Sequence, residues 1–311
     1  MTELIPLLID TDPGVDDALA LLMAFNDTRH DLVGLTVAAG NVGLEHTAAN
    51  ALKLCEIAGV DVPVHAGCES PLLHPARDAA YVHGRDGFGD TGYVRAESRV
   101  EAEHAALAIL RLSHAHAGRL LLVALGPLTN IALALKLDPT LPERVARFVV
   151  MGGAVTAHGN ITAAAEFNIA FDPEAAHIVF TAFERFELVD WEAVIAHGLP
   201  HTRVEQWLRA DSPRARFYAS ISRQTREWSA DRRGEMWFAA DALAMAHALE
   251  PGAAVDVVER PVAVELDGRH TRGATVVDWQ RQSGASDNAA IVMGYAQARF
   301  EAMVEAALAA G

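Results

Sequence analysis

The 311 residues carry a formal net charge of −16, with 41 acidic side chains against 25 Lys and Arg. This balance disfavours binding to the phosphate backbone of nucleic acids, and two cysteines, Cys55 and Cys68, are too few for a disulfide scaffold. Apolar residues make up 51% of the chain, but no run approaches the ~20 that cross a membrane, and no secretory leader is recognisable. We therefore expect a cytoplasmic protein with neither a nucleic-acid nor a membrane partner.

Strand-like and helix-like stretches alternate along the chain. Residues 4–10 form an apolar run that ends in polar side chains, which is typical of a buried parallel strand. Residues 16–25 have helical spacing, with acids in the first turn where the helix dipole favours them. Further strands are predicted at 31–39, 120–125, 147–151 and 186–190, and helices at 45–58, 101–117, 128–136 and 173–182. This alternation predicts an α/β fold: one domain, 1–311, with a mostly parallel, Rossmann-like sheet and helices on both faces.

Two regions interrupt the alternation. Residues 66–100 lack periodicity and include the sequence HGRDGFGDTG, and a loop of this length is usually functional, so we predict an active-site loop. Residues 200–238 have a helical pattern rich in Arg and Trp. They are interpreted either as a segment near the binding site or as a solvated helix pair.

An acidic cluster follows the first predicted strand, in the sequence Asp10-Thr-Asp12-Pro-Gly-Val-Asp16-Asp17. Ligands of open α/β sheets bind at this carboxyl edge of the strands. Crowded carboxylates repel one another and have raised pKa values unless a cation or hydrogen bonds offset the repulsion. An all-oxygen ligand set favours Ca²⁺ or Mg²⁺ over zinc. The cluster therefore predicts a site for a hard divalent cation.

Other interpretations of this segment were weighed. An EF-hand loop is excluded because Gly14 stands where a third acidic ligand is needed and no Glu closes the loop. A metal-dependent phosphatase that uses Asp10 and Asp12 remains open, although Gly14 departs from its pattern and no phosphate cradle is apparent. Asp16 and Asp17 could also be plain helix N-terminal acids.

Residues 10–21, DTDPGVDDALAL, resemble the N-terminal signature of the inosine-uridine nucleoside hydrolase family. Six further motifs of that family follow in order: AAGNV with Asn41, GPLTN ending at Asn130, MGG from Met151, Asn160 leading to EFN, DPEAA from Asp172, and DALAMAHAL from Asp241. The resemblance covers essentially the whole chain. It implies hydrolysis of the N-glycosidic bond of ribonucleosides to ribose and free base, by a homodimer or homotetramer.

The resemblance also implies a Ca²⁺ ion held by Asp12, Asp17, Asp241 and the main-chain carbonyl of Leu125. Asp12 would serve in addition as the general base, accepting a proton from the metal-activated water that attacks C1′ of the ribose. Thr129 and Asn130, in contrast, are expected to cap a helix rather than contact substrate.

The ribose needs a firm grip because its transition state resembles an oxocarbenium ion, which nearby carboxylates stabilise. The resemblance implies a set of substrate-binding residues: Asp16, Asn41, Met151, Asn160, Glu166, Phe167 and Asn168. The loop histidine His83 and Trp228 are added as candidates.

One position departs from the family pattern. Many members carry a His immediately before the late metal-binding Asp, as an acid for the leaving base, and here Ala240 stands there. His83 is either a substitute acid or an ordinary loop histidine. Tyr218, Trp228 and Trp237 are candidates for stacking on the base or for the core, and Arg232 and Arg233 could be surface charge. A nucleoside-binding protein that has lost catalysis therefore stays open, as does the base preference.

Overall fold

The computed structural model describes residues 3–156 and 158–311, so residues 1, 2 and 157 of the predicted domain lie outside it. The strands, in chain order, are β1 (Ile5–Thr11), β2 (His30–Val37), β3 (Val64–Ala66), β4 (Leu120–Ala124), β5 (Val145–Met151), β6 (Phe186–Val189), β7 (Leu199–Pro200), β8 (Met236–Trp237), β9 (Ala254–Arg260), β10 (Val262–Val264), β11 (Thr275–Val277) and β12 (Ala289–Tyr295). The helices are α1 (Val15–Asn26), α2 (Leu44–Ala58), α3 (Ala80–His83), α4 (Ala105–Ala115), α5 (Thr129–Leu137), α6 (Leu141–Arg144), α7 (Phe167–Phe171), α8 (Pro173–Ala182), α9 (Trp191–Ala196), α10 (His201–Trp207), α11 (Pro213–Arg233), α12 (Ala240–Leu249) and α13 (Gln297–Ala309).

The central sheet has eight strands in the order β3-β2-β1-β4-β5-β6-β12-β9. Its strands pair in parallel except β9, which pairs antiparallel with β12. The chain moves outward from β1 to β3 and then returns to the other side of β1 with β4, so the strand order reverses between β1 and β4. This topological switch point is where open α/β sheets form their ligand crevice. The predicted fold class is confirmed.

Side chains alternate across the sheet and enter two separate cores. Leu7 and Ile9 of β1 join one core with residues of α1, α2, α11, α12 and α13, whereas Leu8 joins the other with residues of α4, α5 and α8. This follows from the two-residue period of a strand, which sends successive side chains to opposite faces. Helices therefore cover both faces, as predicted.

The predicted elements agree with the structure to within a few residues, with exceptions at the short and late elements. The helix predicted at 101–117 begins at Ala105, because His104 Nδ1 accepts the main-chain N–H of Ala106 at 3.2 Å and caps the helix there. The elements that the pattern did not predict are β3, β7 to β12, α3, α6, α7, α9 and α13. Residues 66–100 contain the end of β3 and the short helix α3, and residues 200–238 contain the helices α10 and α11 and the short strand β8.

Among the residues that the structure describes, no helix combines the length and the apolar character needed to span a bilayer.

Candidate active site

A cleft opens at the carboxyl edge of the sheet, beside the switch point between β1 and β4. It is bounded by the turn between β1 and α1, by residues 79–83 of the long loop, by the segments that follow β4 and β5, and by the end of α11. The predicted site residues that line it are Asp16, Asn41, His83, Leu125, Met151, Asn160, Glu166, Phe167, Asn168, Trp228 and Asp241. Asp12 and Asp17 are fully buried beside them. The fold thus gathers residues that are up to 229 positions apart in the sequence, from Asp12 to Asp241.

Three carboxylates form a tight group in the cleft. One oxygen each of Asp16, Asp17 and Asp241 lies within 4.8 Å of the others, and Asp17 and Asp241 are buried. Burial raises the pKa of Asp17 and, well above its usual range, that of Asp241, and the neighbouring carboxylates raise both further. Like charges this close repel strongly in a site that excludes water. The group is chemically suited to a divalent cation.

Asp17 is held in place by the turn that starts α1. Its carboxylate accepts hydrogen bonds from Thr11 Oγ1 at 2.6 Å, the main-chain N–H of Gly14 at 3.0 Å and Asn41 Nδ2 at 2.9 Å. The Asn41 amide also donates to the main-chain carbonyl of Asp12 at 3.2 Å. Because its N–H groups serve the acidic cluster, Asn41 offers the cleft chiefly its amide oxygen.

Asp12 is completely buried, and it lies outside the group of three. Its Oδ2 accepts the main-chain N–H of Asn41 at 2.7 Å, whereas its Oδ1 has no hydrogen-bond partner among the described residues. A Cβ added at Gly40 would lie 2.0 Å from Oδ2, and one at Gly126 would lie 2.3 Å from Oδ1. Burial raises the pKa of Asp12 well above its usual range, and Asp17 raises it further. Two glycines thus make room for a carboxylate with one unused acceptor.

The residues that follow β5 form the opposite wall of the cleft. Asn168 Nδ2 donates to the carbonyl of Leu125 at 2.7 Å, which leaves that carbonyl a second lone pair. Glu166 accepts the main-chain N–H groups of Asn168 at 3.0 Å and of Gly153 at 2.9 Å. Burial raises the pKa of Glu166 to about 7. Asn160 Oδ1 accepts the N–H of Phe167 at 2.8 Å, so its NH₂ group is free for a ligand.

Gly153 shows why glycine follows Met151. Its φ is +80°, and an added Cβ would lie 2.4 Å from Thr275 Oγ1. A side chain at this position would therefore be both strained and in collision with β11, so glycine is needed for the close approach of the two segments.

His83 lies at the end of α3, against the start of α1. Its Nδ1 accepts the main-chain N–H of Val15 at 3.1 Å and lies 3.9 Å from Asp16 Oδ1. The neutral ring therefore carries its hydrogen on Nε2. Burial lowers the pKa of His83 to about 4. The imidazole is consequently a neutral hydrogen-bond donor at neutral pH.

Aromatic rings form the outer wall, and sequence reasoning identified only some of them. Trp228 and Trp237 line the cleft, whereas Tyr218 is fully buried in the core. Trp191 and Phe238 also line it but were missed. Trp191 begins α9 directly after β6, so the rule that ligands bind at the carboxyl ends of strands could have indicated it.

Arg233 was also missed as a site residue, because it was considered only as surface charge. It lies among these rings and lines the cleft. Its neighbour Arg232, which contacts the ring of Trp228, is exposed.

The helix-capping role predicted for Thr129 and Asn130 is wrong. The residue that precedes α5 is Leu128, and no side chain caps the helix. Thr129 Oγ1 instead donates to Asp172 Oδ2 at 2.8 Å, and Asn130 Nδ2 donates to Asp10 Oδ1 at 2.9 Å. Both side chains tie neighbouring segments together, because the buried carboxylates of Asp10 and Asp172 need hydrogen-bond donors.

The fold and the cleft define an α/β protein with an acidic, metal-compatible ligand site at the switch point of its sheet. The family model described as "Inosine-uridine preferring nucleoside hydrolase" matches residues 7–302. The inosine-uridine preferring nucleoside hydrolase of Crithidia fasciculata is 35% identical over 279 residues, which cover 88% of each chain. A non-specific ribonucleoside hydrolase of Salmonella enteritidis is 36% identical over 293 residues, or 94% of each chain.

Solved structures agree with these relatives. A plant nucleoside hydrolase superposes with a TM-score of 0.93 at 29% identity, covering 99% of this chain and 100% of the other. An inosine-guanosine nucleoside hydrolase superposes with a TM-score of 0.90, also at 29% identity, covering 98% and 99%. The chain belongs to the inosine-uridine preferring nucleoside hydrolase family. It is therefore an enzyme that hydrolyses the N-glycosidic bond of ribonucleosides.

Proposed function

We propose that this enzyme is a Ca²⁺-dependent ribonucleoside hydrolase in which Asp12 is the general base. The observation that carries the proposal is the buried carboxylate of Asp12 beside the group formed by Asp16, Asp17 and Asp241. Its Oδ1 has no hydrogen-bond partner in the part of the chain that the structure describes. A buried acceptor without a partner is costly unless a ligand satisfies it. A cation and a water molecule would satisfy it together.

The residues fit a hard cation. Asp17 and Asp241 offer carboxylate oxygens from the group of three. Asp12 would add its Oδ1 and Leu125 a carbonyl with a free lone pair, which completes the oxygen-only donor set that Ca²⁺ prefers. When bound, the cation would offset the repulsion of the carboxylates and make a nearby water molecule more acidic.

The ribose would lie between the acidic group and the wall that follows β5. Asp16 Oδ1 has no hydrogen-bond partner among the described residues, and the NH₂ group of Asn160 and the amide oxygen of Asn168 are also unused. These atoms can accept from and donate to sugar hydroxyls. Glu166, with Met151 and Phe167 beside it, would complete this surface, and Asn41 would contribute its amide oxygen.

The chain's own residues then perform the proton and charge chemistry. Asp12 Oδ1 takes a proton from water as the water oxygen bonds to C1′, and the C1′–N bond breaks with its electron pair leaving on the base. The carboxylates of Asp16 and Glu166 stabilise the positive charge that develops on the sugar ring. A substrate without the 2′-hydroxyl would leave polar groups unpaired, so deoxynucleosides should be poor substrates.

The test is a reducing-sugar assay with inosine, uridine, cytidine and adenosine, each in chelator and after Ca²⁺ or Mg²⁺ is returned. Ribose release that vanishes in chelator and returns with Ca²⁺ supports the proposal. Undiminished release in buffer shown by elemental analysis to be metal-free would contradict it. p-Nitrophenyl phosphate serves as the control for the phosphatase alternative. We also propose a cytoplasmic homodimer or homotetramer, which light scattering coupled to gel filtration would test for its assembly state.

A further inference from the structure

Arg233 is the last residue of α11 and points into the cleft. Gly234, at φ +77°, ends the helix immediately after it and lets the chain turn into β8. The guanidinium carbon lies 4.8 Å from the ring centroid of Trp191, 5.0 Å from that of Trp228 and 5.8 Å from that of Phe238. Three rings around one guanidinium hold it by cation–π attraction and restrict its side-chain freedom. Arg233 is thus positioned before any ligand arrives.

The donors of Arg233 are unused. Among the described residues, no side-chain or main-chain acceptor is within hydrogen-bond range of its guanidinium, and no carboxylate lies within 4.0 Å. The carboxylate whose charge acts on it is Asp16, which also lines the cleft. Arg233 is half-buried, and its five N–H donors are available to acceptor atoms of a ligand.

The position of Arg233 determines which part of a nucleoside it would contact. With the ribose over the acidic group, the base has to occupy the remaining part of the cleft, which the aromatic rings line. Ala240, also in this lining, leaves that space open where many family members carry a His. Arg233 is therefore a fixed positive charge on the side from which the base departs.

We propose that Arg233 recognises the leaving base by donating two N–H groups to O6 and N7 of a 6-oxopurine, which makes it the specificity-determining residue of this enzyme. This inference rests on the proposed function. The planar guanidinium fork matches two adjacent acceptors, as in the bidentate pairing of Arg with guanine. Adenine has an amino group beside N7, so this hydrogen-bond donor would lie opposite an N–H donor of Arg233. Uracil has no such pair of adjacent acceptors.

The same contact assists the reaction. As the C1′–N9 bond breaks, its electron pair stays on the base, and the negative charge delocalises onto O6 and N7. Arg233 stabilises that charge without giving up its own proton, and the base takes a proton from solvent after departure. The contact strengthens in the transition state because the charge on O6 grows there. A positive charge at 233 thus compensates for the absent acid at position 240.

The experiment compares kcat/KM for inosine, adenosine and p-nitrophenyl riboside at saturating Ca²⁺. The variants are Arg233→Met, which keeps an unbranched apolar side chain on the rings, and Arg233→Lys, which keeps the charge but loses the planar fork. Arg232→Met is the matched control, since Arg232 also contacts Trp228 but is exposed and outside the lining. The wild-type enzyme should prefer inosine over adenosine about 10- to 100-fold, the range expected for one bidentate pair.

In Arg233→Met this preference should shrink to about threefold or less, through loss of the inosine rate. Arg233→Lys should give an intermediate preference, and Arg232→Met should keep the wild-type value. The nitrophenyl substrate, which lacks O6 and N7, should lose much less than inosine and so reports whether the variant is folded. An unchanged inosine-to-adenosine ratio, or an equal loss on all three substrates, would overturn the role of Arg233. Wild-type enzyme that releases no ribose from any nucleoside in Ca²⁺ would overturn the proposed function itself.

Discussion

Replacing Asp241 by Asn should make the protein more stable than the wild type without Ca²⁺ and should remove most of the stabilisation that Ca²⁺ gives the wild type. The buried Asp241 carboxylate lies in one group with those of Asp16 and Asp17. Its neighbours are like charges, and an amide at this position could instead donate a hydrogen bond to Asp17. The substitution thus removes a repulsion in the cation-free protein and a ligand in the cation-bound one.

The magnitude follows from the geometry. The oxygens of the group lie within 4.8 Å of one another, and two full charges at that distance repel by about 3 kcal/mol at an effective dielectric constant of about 20. Raised pKa values keep part of the cluster protonated near neutrality, which lowers the net repulsion. We therefore expect the variant to be about 1–3 kcal/mol more stable in chelator, or roughly 2–6 °C higher in Tm. In the wild type, Ca²⁺ at about 100 times its Kd should add about 2.7 kcal/mol, which the variant should largely lose.

Differential scanning calorimetry in chelator and in Ca²⁺ measures both effects. Asp231→Asn is the control, because Asp231 is exposed on α11 and lies outside the carboxylate group; its Tm should follow the wild type in both buffers. A lower Tm for Asp241→Asn in chelator would mean that packing, and not repulsion, dominates at this site. Full stabilisation of the variant by Ca²⁺ would show that Asp241 is not a ligand.

The remaining predictions concern catalysis and pH. Asp12→Asn should lower kcat on inosine by at least about 10³-fold, since the general base and a proposed Ca²⁺ ligand are removed together. Initial rates within about tenfold of the wild type would mean that another residue is the general base. His83→Gln should lower kcat/KM on inosine and on p-nitrophenyl riboside by similar factors, because the neutral imidazole positions the start of α1 through the main-chain N–H of Val15. A loss confined to inosine would instead identify His83 as the acid that protonates the leaving base. Burial raises the pKa of Asp10 from 3.8 to about 7 and that of Glu166 from 4.5 to about 7. The stabilisation from these two protonated carboxyl groups is fully present below their unfolded-state pKa values and is lost as pH rises through about 7. The free energy of unfolding in chelator, measured by urea titration, should therefore fall between about pH 5 and pH 8. A rise over this interval would contradict the pKa shifts.

Local sequence was sufficient for much of the fold and of the site. The run from Asp10 to Asp17 joins the end of β1 to the start of α1. Its carboxylates are close together in the sequence, so a site for a divalent cation could be predicted from the sequence. The alternation of elements predicted the strands β1, β2, β4, β5 and β6 and their parallel sheet, but not β3 or the order of the strands. Asn160, Glu166 and Asn168 could be named because the short motifs that contain them resemble motifs of the family. In each case the determining information lies within a few residues of sequence.

Only the tertiary structure decided the outer wall of the cleft. Trp191, Phe238 and Arg233 come from separate segments after β6. Only Trp191, at the carboxyl end of β6, has a local signal; nothing in the neighbourhoods of Phe238 and Arg233 distinguishes them from a core aromatic or a surface charge. The direction of Arg233 depends on where α11 packs, since a helix fixes the spacing of its side chains but not the surface that its end meets. The late strands β9 and β12 were likewise not predictable, because pairing partners distant in the chain determine whether a short apolar run becomes a strand.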